Sequence, residues 1–259
     1  MTSGGGSSLL DVVGLTVRHG GLVALDGVDM VVEPGQVVGL IGPNGAGKTT
    51  FIDAVTGYTR ATRGTVQLDG ANISALAPHR RARLGLARTF QSLELFDDLS
   101  VAQNLAVAMG SQGLAGLTAD LAGPGRSAVG SEPAIADTLD HLGLTGCADR
   151  LPVELSNGQR HLVALGRALV AGPRLVCLDE PAAGLDPAET ATLATLVAGL
   201  GAREMGVLLV DHDMDLVMGI CDVVYVLDFG RCIAVGPPAT VRHDPLVREA
   251  YLGMSGSGS

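Results

Sequence analysis

Residues 42–50 read GPNGAGKTT, and this stretch decides how the rest of the chain is interpreted. It fits the pattern G-x-x-x-x-G-K-[ST], in which glycines let backbone N–H groups turn inward around a phosphate. A continuous apolar run, Val37–Ile41, precedes it and predicts a strand that is buried on both faces. From Lys48 to about Val55 the sequence favours a helix, ended by Gly57, whose positive N-terminal end adds to anion binding. We therefore predict a nucleoside-triphosphate site built from Gly42, Pro43, Asn44, Gly45, Ala46, Gly47, Lys48, Thr49 and Thr50.

Lys48 is the only lysine in a chain that has 17 basic residues. Glycine accounts for 37 of the 259 residues, so a glycine pattern alone arises easily by chance. A sole lysine at the one position that the pattern reserves for lysine does not. The pattern predicts that Lys48 reaches the β- and γ-phosphates and that the hydroxyl of Thr49 binds Mg²⁺.

Composition restricts the class of protein. The net charge of −10 argues against a nucleic-acid partner, because phosphate backbones are bound by basic surfaces. No apolar run reaches the roughly 18 residues of a membrane span, and the N-terminus MTSGGGSS lacks the features of a signal peptide. The four cysteines have no metal-ligand spacing, so we expect buried, reduced thiols in a cytosolic protein with an aliphatic core.

Strands and helices alternate through the second half of the chain. Residues 9–32 favour short strands, and two further strand-like runs flank Gly230. Residues 110–131 are rich in Gly, Ala, Ser and Pro and indicate a surface insertion with little regular structure. The alternation predicts an α/β core with a parallel sheet. The predicted helices are 100–109, 132–142, about 158–171, 187–200 and about 213–219, and the predicted strands are Leu175–Leu178 and Val207–Val210.

An acidic pair follows one of these strands, in the sequence LVCLDE at 175–180. The carboxyl end of a parallel strand delivers its side chains beside the glycine loop. We expect Asp179 to hold Mg²⁺ through water, and Glu180, which points elsewhere, to polarise the attacking water. Helix capping is the alternative explanation for such a pair.

A second anion site is predicted at LSNGQ, residues 155–159, which opens a helix. The start of a helix offers free N–H groups, and a serine hydroxyl lies beside them. Two half-sites for one phosphate tail on a single chain suggest that two chains share each nucleotide.

With these motifs in this order, residues 9–253 resemble the ATP-binding subunits of ABC transporters. The resemblance implies a Q-loop glutamine at Gln91 that also binds metal, a D-loop at Gly184–Asp186, and a switch histidine at His212 that senses the γ-phosphate. It places His19 against adenine and assigns the signature role to Ser156, Asn157, Gly158 and Gln159. For His212 alone, a half-buried histidine or a ligand in an Asp-His-Asp metal cluster are the alternatives.

The implied fold is a P-loop NTPase core of the ABC ATPase type, with an antiparallel β part and a helical subdomain. The ATPase domain is expected over residues 9–254, between flexible tails at 1–8 and 255–259. Within it, residues 9–91 and 173–254 form the nucleotide-binding core, and residues 92–172 form the helical subdomain, which includes the signature helix.

The phrases FIDAVTGYTRATRGTV, PHRRARLGLARTFQ and EAYLG are similar to the ATPase subunits of branched-chain (hydrophobic) amino acid importers. This implies ATP and Mg²⁺ as cofactors, membrane permease subunits and a second ATPase subunit (identical or related) as partners, and an extracytoplasmic solute-binding protein as an indirect partner. The subunit would lie on the inner face of the membrane, held there by the permease. The alternatives are an ABC exporter and a non-transport ABC ATPase. A P-loop GTPase or kinase is a further alternative, but it is less compatible with LSNGQ.

Three residues depart from the family pattern. Asn157 replaces a glycine in the signature, where mainly backbone N–H groups are needed and Asn tolerates unusual backbone angles. An asymmetric site in a heterodimer is the alternative explanation for Asn157. His161 stands where an arginine often follows the signature, and His19 stands where a larger aromatic ring usually stacks on adenine.

Overall fold

The computed structural model describes residues 8–109 and 132–252, with the backbone alone for Leu252. The predicted insertion at 110–131 and nearly all of the predicted tails lie outside these residues. The described chain divides into two compact units. The first is drawn from Met1–Arg88, Arg174–Glu180 and Val197–Ser259, and the second from Thr89–Pro173 and Pro181–Leu196. This division does not test the predicted bounds of the nucleotide-binding core and the helical subdomain, which stay a prediction.

One sheet of the first unit is antiparallel, as the implied fold requires. Its strand order is β2-β1-β4-β5. In β2 the buried residues Val28, Met30 and Val32 alternate with exposed ones, so one face of the strand packs inward. The strands are β1 Leu10–His19, β2 Leu22–Val32, β4 Arg63–Leu68 and β5 Ala71–Asn72.

The second sheet of this unit has the order β10-β9-β3-β8-β7-β6 and is parallel except for β10. All residues of β3, β7 and β8 are buried, as expected of strands covered on both faces. Because β8 separates β3 from β7, the acidic strand is one strand away from the glycine loop. The strands are β3 Val37–Ile41, β6 Leu86–Arg88, β7 Leu175–Asp179, β8 Gly206–Val210, β9 Val223–Asp228 and β10 Arg231–Gly236.

The main apolar cluster contains residues of both sheets and of helix α1, Lys48–Thr56. Phe51 and Ile52 of α1 are fully buried in it, and Gly57 ends the helix with a φ of 89°. On β3, a Cβ at Gly39 would lie 2.6 Å from Cγ1 of Val217, so glycine permits a helix to pack closely on the strand that leads into the loop. Phe51 is the one aromatic residue among the buried hydrophobic residues that the structure describes, so the core is mainly aliphatic, as predicted.

The second unit contains helices, one of which begins at the predicted signature. A capping box formed by Ser100 and Gln103 starts α3, and Ser156 and Gln159 form another at the start of α5. A Cβ at Gly166 would lie 2.9 Å from Cδ1 of Leu142, so this glycine allows close packing of α5. These helices are α3 Val101–Ala108, α4 Pro133–His141, α5 Asn157–Leu169 and the first ten residues of α6 Pro187–Gly201.

The first unit carries the remaining helices, which are α2 Pro78–Arg83, α7 Met214–Ile220, α8 Pro238–Val241 and α9 Pro245–Leu252. No helix in the described residues is long and apolar enough to cross a membrane. Three cysteines are buried as expected, but Cys232 is exposed, because it lies on β10, the edge strand of its sheet.

Candidate functional site

The loop between β3 and α1 depends on glycine at two positions. Gly42 and Gly47 have φ angles of 151° and 105°, which side chains rarely adopt. A Cβ at Gly42 would lie 2.1 Å from the carbonyl oxygen of Leu227, and one at Gly47 would lie 2.7 Å from that of Ala24. The loop is therefore packed against its neighbours in a conformation that only glycine allows.

Lys48 folds its side chain back over this loop. Its Nζ donates to the carbonyl oxygens of Gly42 at 2.7 Å and Pro43 at 3.1 Å, and the residue is only 7% exposed. Burial lowers the pKa of Lys48, while the negative charges of Glu180, Asp179 and Asp211 oppose this shift. The single ammonium group thus lies inside the loop and near three carboxylates.

Asp179, the predicted Mg²⁺ residue, ends β7 and is buried. Its Oδ2 accepts a hydrogen bond from Nη2 of Arg88 at 2.9 Å, and Nη1 of the same arginine donates to Oδ1 of Asp53 at 2.5 Å. Burial raises the pKa of Asp179, and the Arg88 guanidinium counteracts that rise. Arg88 was not singled out from the sequence, yet it holds the acid of the predicted metal site in place.

Glu180, the residue after Asp179, has a left-handed backbone, with a φ of 47°. Its N–H donates to the carbonyl oxygen of Val210 at 2.7 Å. Such a conformation costs a non-glycine residue about 1–3 kcal/mol and is found most often at functional sites. Oε2 of Glu180 lies 3.7 Å from Nδ1 of His212, whose side chain is 62% exposed. The predicted base and the predicted switch histidine are therefore neighbours.

A cavity of about 430 Å³ brings most of the predicted residues of the first unit together. Thr49 is exposed in it, as a metal-binding hydroxyl would need to be. Predicted residues in its lining are His19, Asn44, Gly45, Gly47, Lys48, Thr49, Thr50 and Glu180. Those outside the lining are Gly42, Pro43, Ala46, Asp179 and His212. Gln91 is exposed and belongs to the second unit.

Asp211 is a further acid beside this site, which the sequence indicated only as part of a possible Asp-His-Asp metal cluster around His212. It follows β8 directly and is 1% exposed. Its Oδ1 accepts from the N–H groups of His212 at 2.7 Å and Asp213 at 2.9 Å, and Oδ2 has no hydrogen-bond partner in the described part of the chain. Burial raises the pKa of Asp211. The available signal was an acid at the end of a buried strand, the same signal that marks Asp179.

Asp211→Asn is expected to stabilise the metal-free protein, and more so as the pH rises. A carboxyl group whose pKa is raised in the folded state favours folding while protonated and opposes it once ionised. The variant cannot ionise, so its gain in the free energy of unfolding, measured from pH 4.5 to pH 8, should grow with pH until Asp211 of the parent is ionised in the folded state as well. Urea unfolding in the presence of a chelator measures this, with the exposed Asp149→Asn as control for the amide itself. A gain in the free energy of unfolding that is the same at every pH in this range would contradict the raised pKa of Asp211.

The predicted signature starts α5 in the second unit. Oγ of Ser156 accepts from the N–H of Gln159 at 3.2 Å, and the N–H of Gly158 donates to Oε1 of Glu189 at 2.9 Å. The expectation that these N–H groups are free is therefore wrong for two of them, because a capping box and a carboxylate already accept their hydrogen bonds. A phosphate here would have to displace Glu189 from Gly158.

Asn157 is the first residue of α5 and is not among the described residues with positive φ. The expectation that asparagine serves an unusual backbone conformation here is therefore wrong, because the position is helical. Its Nδ2 instead donates to the carbonyl oxygen of Gly184 at 2.9 Å, which ties the signature to the D-loop. Asp186 of that loop accepts from the N–H groups of Ala188 and Glu189, both at 2.8 Å. The D-loop acid thus caps helix α6.

His161 contacts the second unit's own backbone. Its Nδ1 lies 2.9 Å from the carbonyl oxygen of Pro181, which requires the proton on Nδ1. His161 therefore links helix α5 to Pro181, which follows the acidic pair at the end of β7.

Family models match two parts of the chain. One, described as ABC transporter, covers residues 25–183. Another, described as branched-chain amino acid ATP-binding cassette transporter, covers residues 231–253. The two matches include the glycine loop, the signature and the C-terminal helix α9.

Curated proteins and solved structures agree with these matches. The high-affinity branched-chain amino acid transport ATP-binding protein BraF of Pseudomonas aeruginosa is 43% identical over 250 residues, which cover 95% of this chain and 98% of BraF. LivG of Escherichia coli strain K12, described in the same words, is 40% identical over 95% of this chain and 98% of its own. The crystal structure of an ATP-binding cassette of an ABC transporter, in its ADP conformation, superposes with a TM-score of 0.83 at 32% identity, covering 95% of this chain and 99% of that one. The chain therefore belongs to the ABC transporter family, as one of its ATP-binding cassettes.

Proposed function

We propose that this chain is the ATP-hydrolysing subunit of an importer for branched-chain or other hydrophobic amino acids. The observation that carries the proposal is the identity of 43% to BraF across nearly the full length of both chains. The separate match of residues 231–253 to a branched-chain amino acid cassette model supports the same substrate class.

ATP fits the residues of the cavity. The glycine loop and Lys48 would hold the phosphates, while His19 would lie against adenine. Oxygen ligands suit Mg²⁺, and the first unit offers the hydroxyl of Thr49 and the carboxylate of Asp179. The three carboxylates that act on Lys48 leave the site negative, which favours a divalent cation. When bound, that cation would offset the charge of the phosphates.

Hydrolysis would depend on Glu180 and His212. Glu180 would accept a proton from the attacking water, and its strained backbone would direct the carboxylate away from Asp179. His212, 3.7 Å from that carboxylate, would contact the γ-phosphate and orient Glu180. Asp211 would keep the histidine in position through the hydrogen bonds that it accepts from the backbone N–H groups of His212 and Asp213.

The signature and D-loop would serve a second ATPase subunit. Ser156, Gly158 and Gln159 of one chain would close on the ATP held by the loop of the other, with Asp186 at the same contact. ATP would then favour the closed pair because its contacts span both chains. The helical residues after Gln91 would transmit closure to the permease, which would hold the subunit at the inner face of the membrane and receive substrate from a solute-binding protein.

Deletion of the gene in its native host should abolish high-affinity uptake of labelled leucine, isoleucine or valine. The parental gene should restore uptake and a Glu180→Gln gene should not, which separates ATP hydrolysis from mere assembly. Tagged protein should also purify from detergent-solubilised membranes with permease subunits and a second ATPase chain. Normal uptake of all three amino acids would contradict the substrate class. Normal uptake together with accumulation of a compound inside the cells would favour the exporter alternative.

A further inference from the structure

The turn between β9 and β10 presents a phenylalanine where the backbone does not favour one. Asp228 pairs with Arg231, which leaves Phe229 and Gly230 as a two-residue loop with φ angles of 43° and 77°. Two positive φ angles are the mark of a type I′ turn, whose first position favours Asn, Asp or Gly. Phenylalanine is strained there, so the turn conformation gives no reason for an aromatic residue at position 229.

This turn is fastened to the glycine loop and to β2. The N–H of Gly230 donates to the carbonyl oxygen of Ala46 at 2.9 Å, and the N–H of Asp26 donates to that of Gly230 at 2.9 Å. Nη2 of Arg231 lies 2.7 Å from Oδ2 of Asp26. A Cβ at Gly230 would lie 2.5 Å from the carbonyl oxygen of Ala24, so the turn is pressed against its neighbours. The position of Phe229 is therefore set relative to the phosphate-binding backbone.

The ring is 87% exposed, the largest exposure of any large hydrophobic side chain in the described residues. It lines the cavity that also contains Lys48 and Glu180. Leu22, 68% exposed, and Val23 add further apolar surface to the same lining. The cavity thus combines a charged, glycine-rich part with an apolar rim, as a ligand with a phosphate tail and a flat ring would require.

We propose that Phe229 is a second base-contacting residue, whose ring packs against the nucleobase of a nucleotide that the glycine loop holds by its phosphates. This inference rests on the proposed function. His19 offers only an imidazole to the base, and the phenyl ring supplies the contact area that it lacks. Aromatic rings stack on any base, so the contact strengthens binding of ATP and GTP alike and does nothing for a ligand without a base.

The absence of tryptophan from the chain makes a direct test possible. Phe229→Trp introduces a single indole at the position in question. Its emission should change saturably on titration with MgATP and should not change with magnesium tripolyphosphate. Val235→Trp is the matched control, since Val235 is an exposed residue of β10 outside the cavity lining, and its emission should not respond to either ligand.

Affinity provides the second readout. Phe229→Ala should weaken ATP binding about 5-fold or more in calorimetry, the lower end of what one stacked base contributes, and leave the tripolyphosphate affinity unchanged. Equal losses for both ligands would mean that the turn merely supports the loop, which would overturn the inference. An indole that is silent while ATP binds would also overturn it, with the ATPase assignment intact. A response that grows with protein concentration would assign the ring to contact with a second copy instead. Failure of the parent protein to bind ATP would refute the proposed function itself.

Discussion

Lys48→Arg is expected to lower the ATPase rate by about 100-fold or more, comparable to removing a charge-stabilising donor, with little change in the stability of the fold. The ammonium of Lys48 bonds two carbonyl oxygens within the glycine loop, at 2.7 and 3.1 Å. A guanidinium is a wide planar group that cannot enter the same space as a compact point charge. Arginine would either force the loop open or stand outside it, so the phosphates would lose their alignment.

Charge is conserved in this variant, which separates shape from electrostatics. The ATPase rate, together with the melting temperature measured without nucleotide, should show lost activity with little change in the melting temperature. Arg203→Lys, the reverse exchange at an exposed position, is the control and should alter neither. Near-normal hydrolysis by Lys48→Arg would mean that the only lysine of the chain is an accident of composition.

The elements that were predicted share a strong local signal. Val37–Ile41 is a continuous apolar run and forms β3 with the predicted bounds, and the loop after it is defined by glycines. Helix α2 gave no such signal, because half of the residues of Pro78–Arg83 are arginine, which is typical of a charged surface segment. Arg81 is in fact buried, and its guanidinium donates to the carbonyl oxygens of Ala54 and Val55. What stabilises α2 is a tertiary contact that its own sequence does not record.

The same limit applies to the site. Its residues were predicted where a motif places them, but their partners come from distant parts of the chain. Arg88 and Asp179 are 91 residues apart in the sequence. The position of β8 between β3 and β7 cannot be predicted from the sequences of β3 and β7 themselves. Glu189 escaped notice for another reason, since an acid in the first turn of a helix is common. Only the structure shows that it accepts from Gly158.

Glu180→Gln is the variant expected to separate ATP binding from hydrolysis. General bases contribute about 10²–10⁴-fold to a rate, so hydrolysis should fall by that factor. Glutamine has nearly the same shape, and the backbone hydrogen bond from residue 180 to Val210 does not involve the side chain. Lys48, the glycine loop and Asp179 are unchanged, so ATP should still bind with near-parental affinity, and the ATP-bound pair of chains should accumulate because nothing reopens it.

The control for this variant is Glu204→Gln. Glu204 also has a positive φ, 61°, but it is exposed and lies outside the cavity lining, so any cost of placing glutamine in a left-handed conformation appears there as well. Phosphate release, calorimetric ATP affinity and light scattering in ATP should be parental for the control. For Glu180→Gln, only the ATP affinity should be parental: phosphate release should be suppressed, and light scattering in ATP should give twice the mass of one chain. If the pair is heteromeric, the doubled mass is expected in a mixture with the partner ATPase. Release at the parental rate would make Glu180 a structural acid, since a base cannot be removed without cost to the step that it performs.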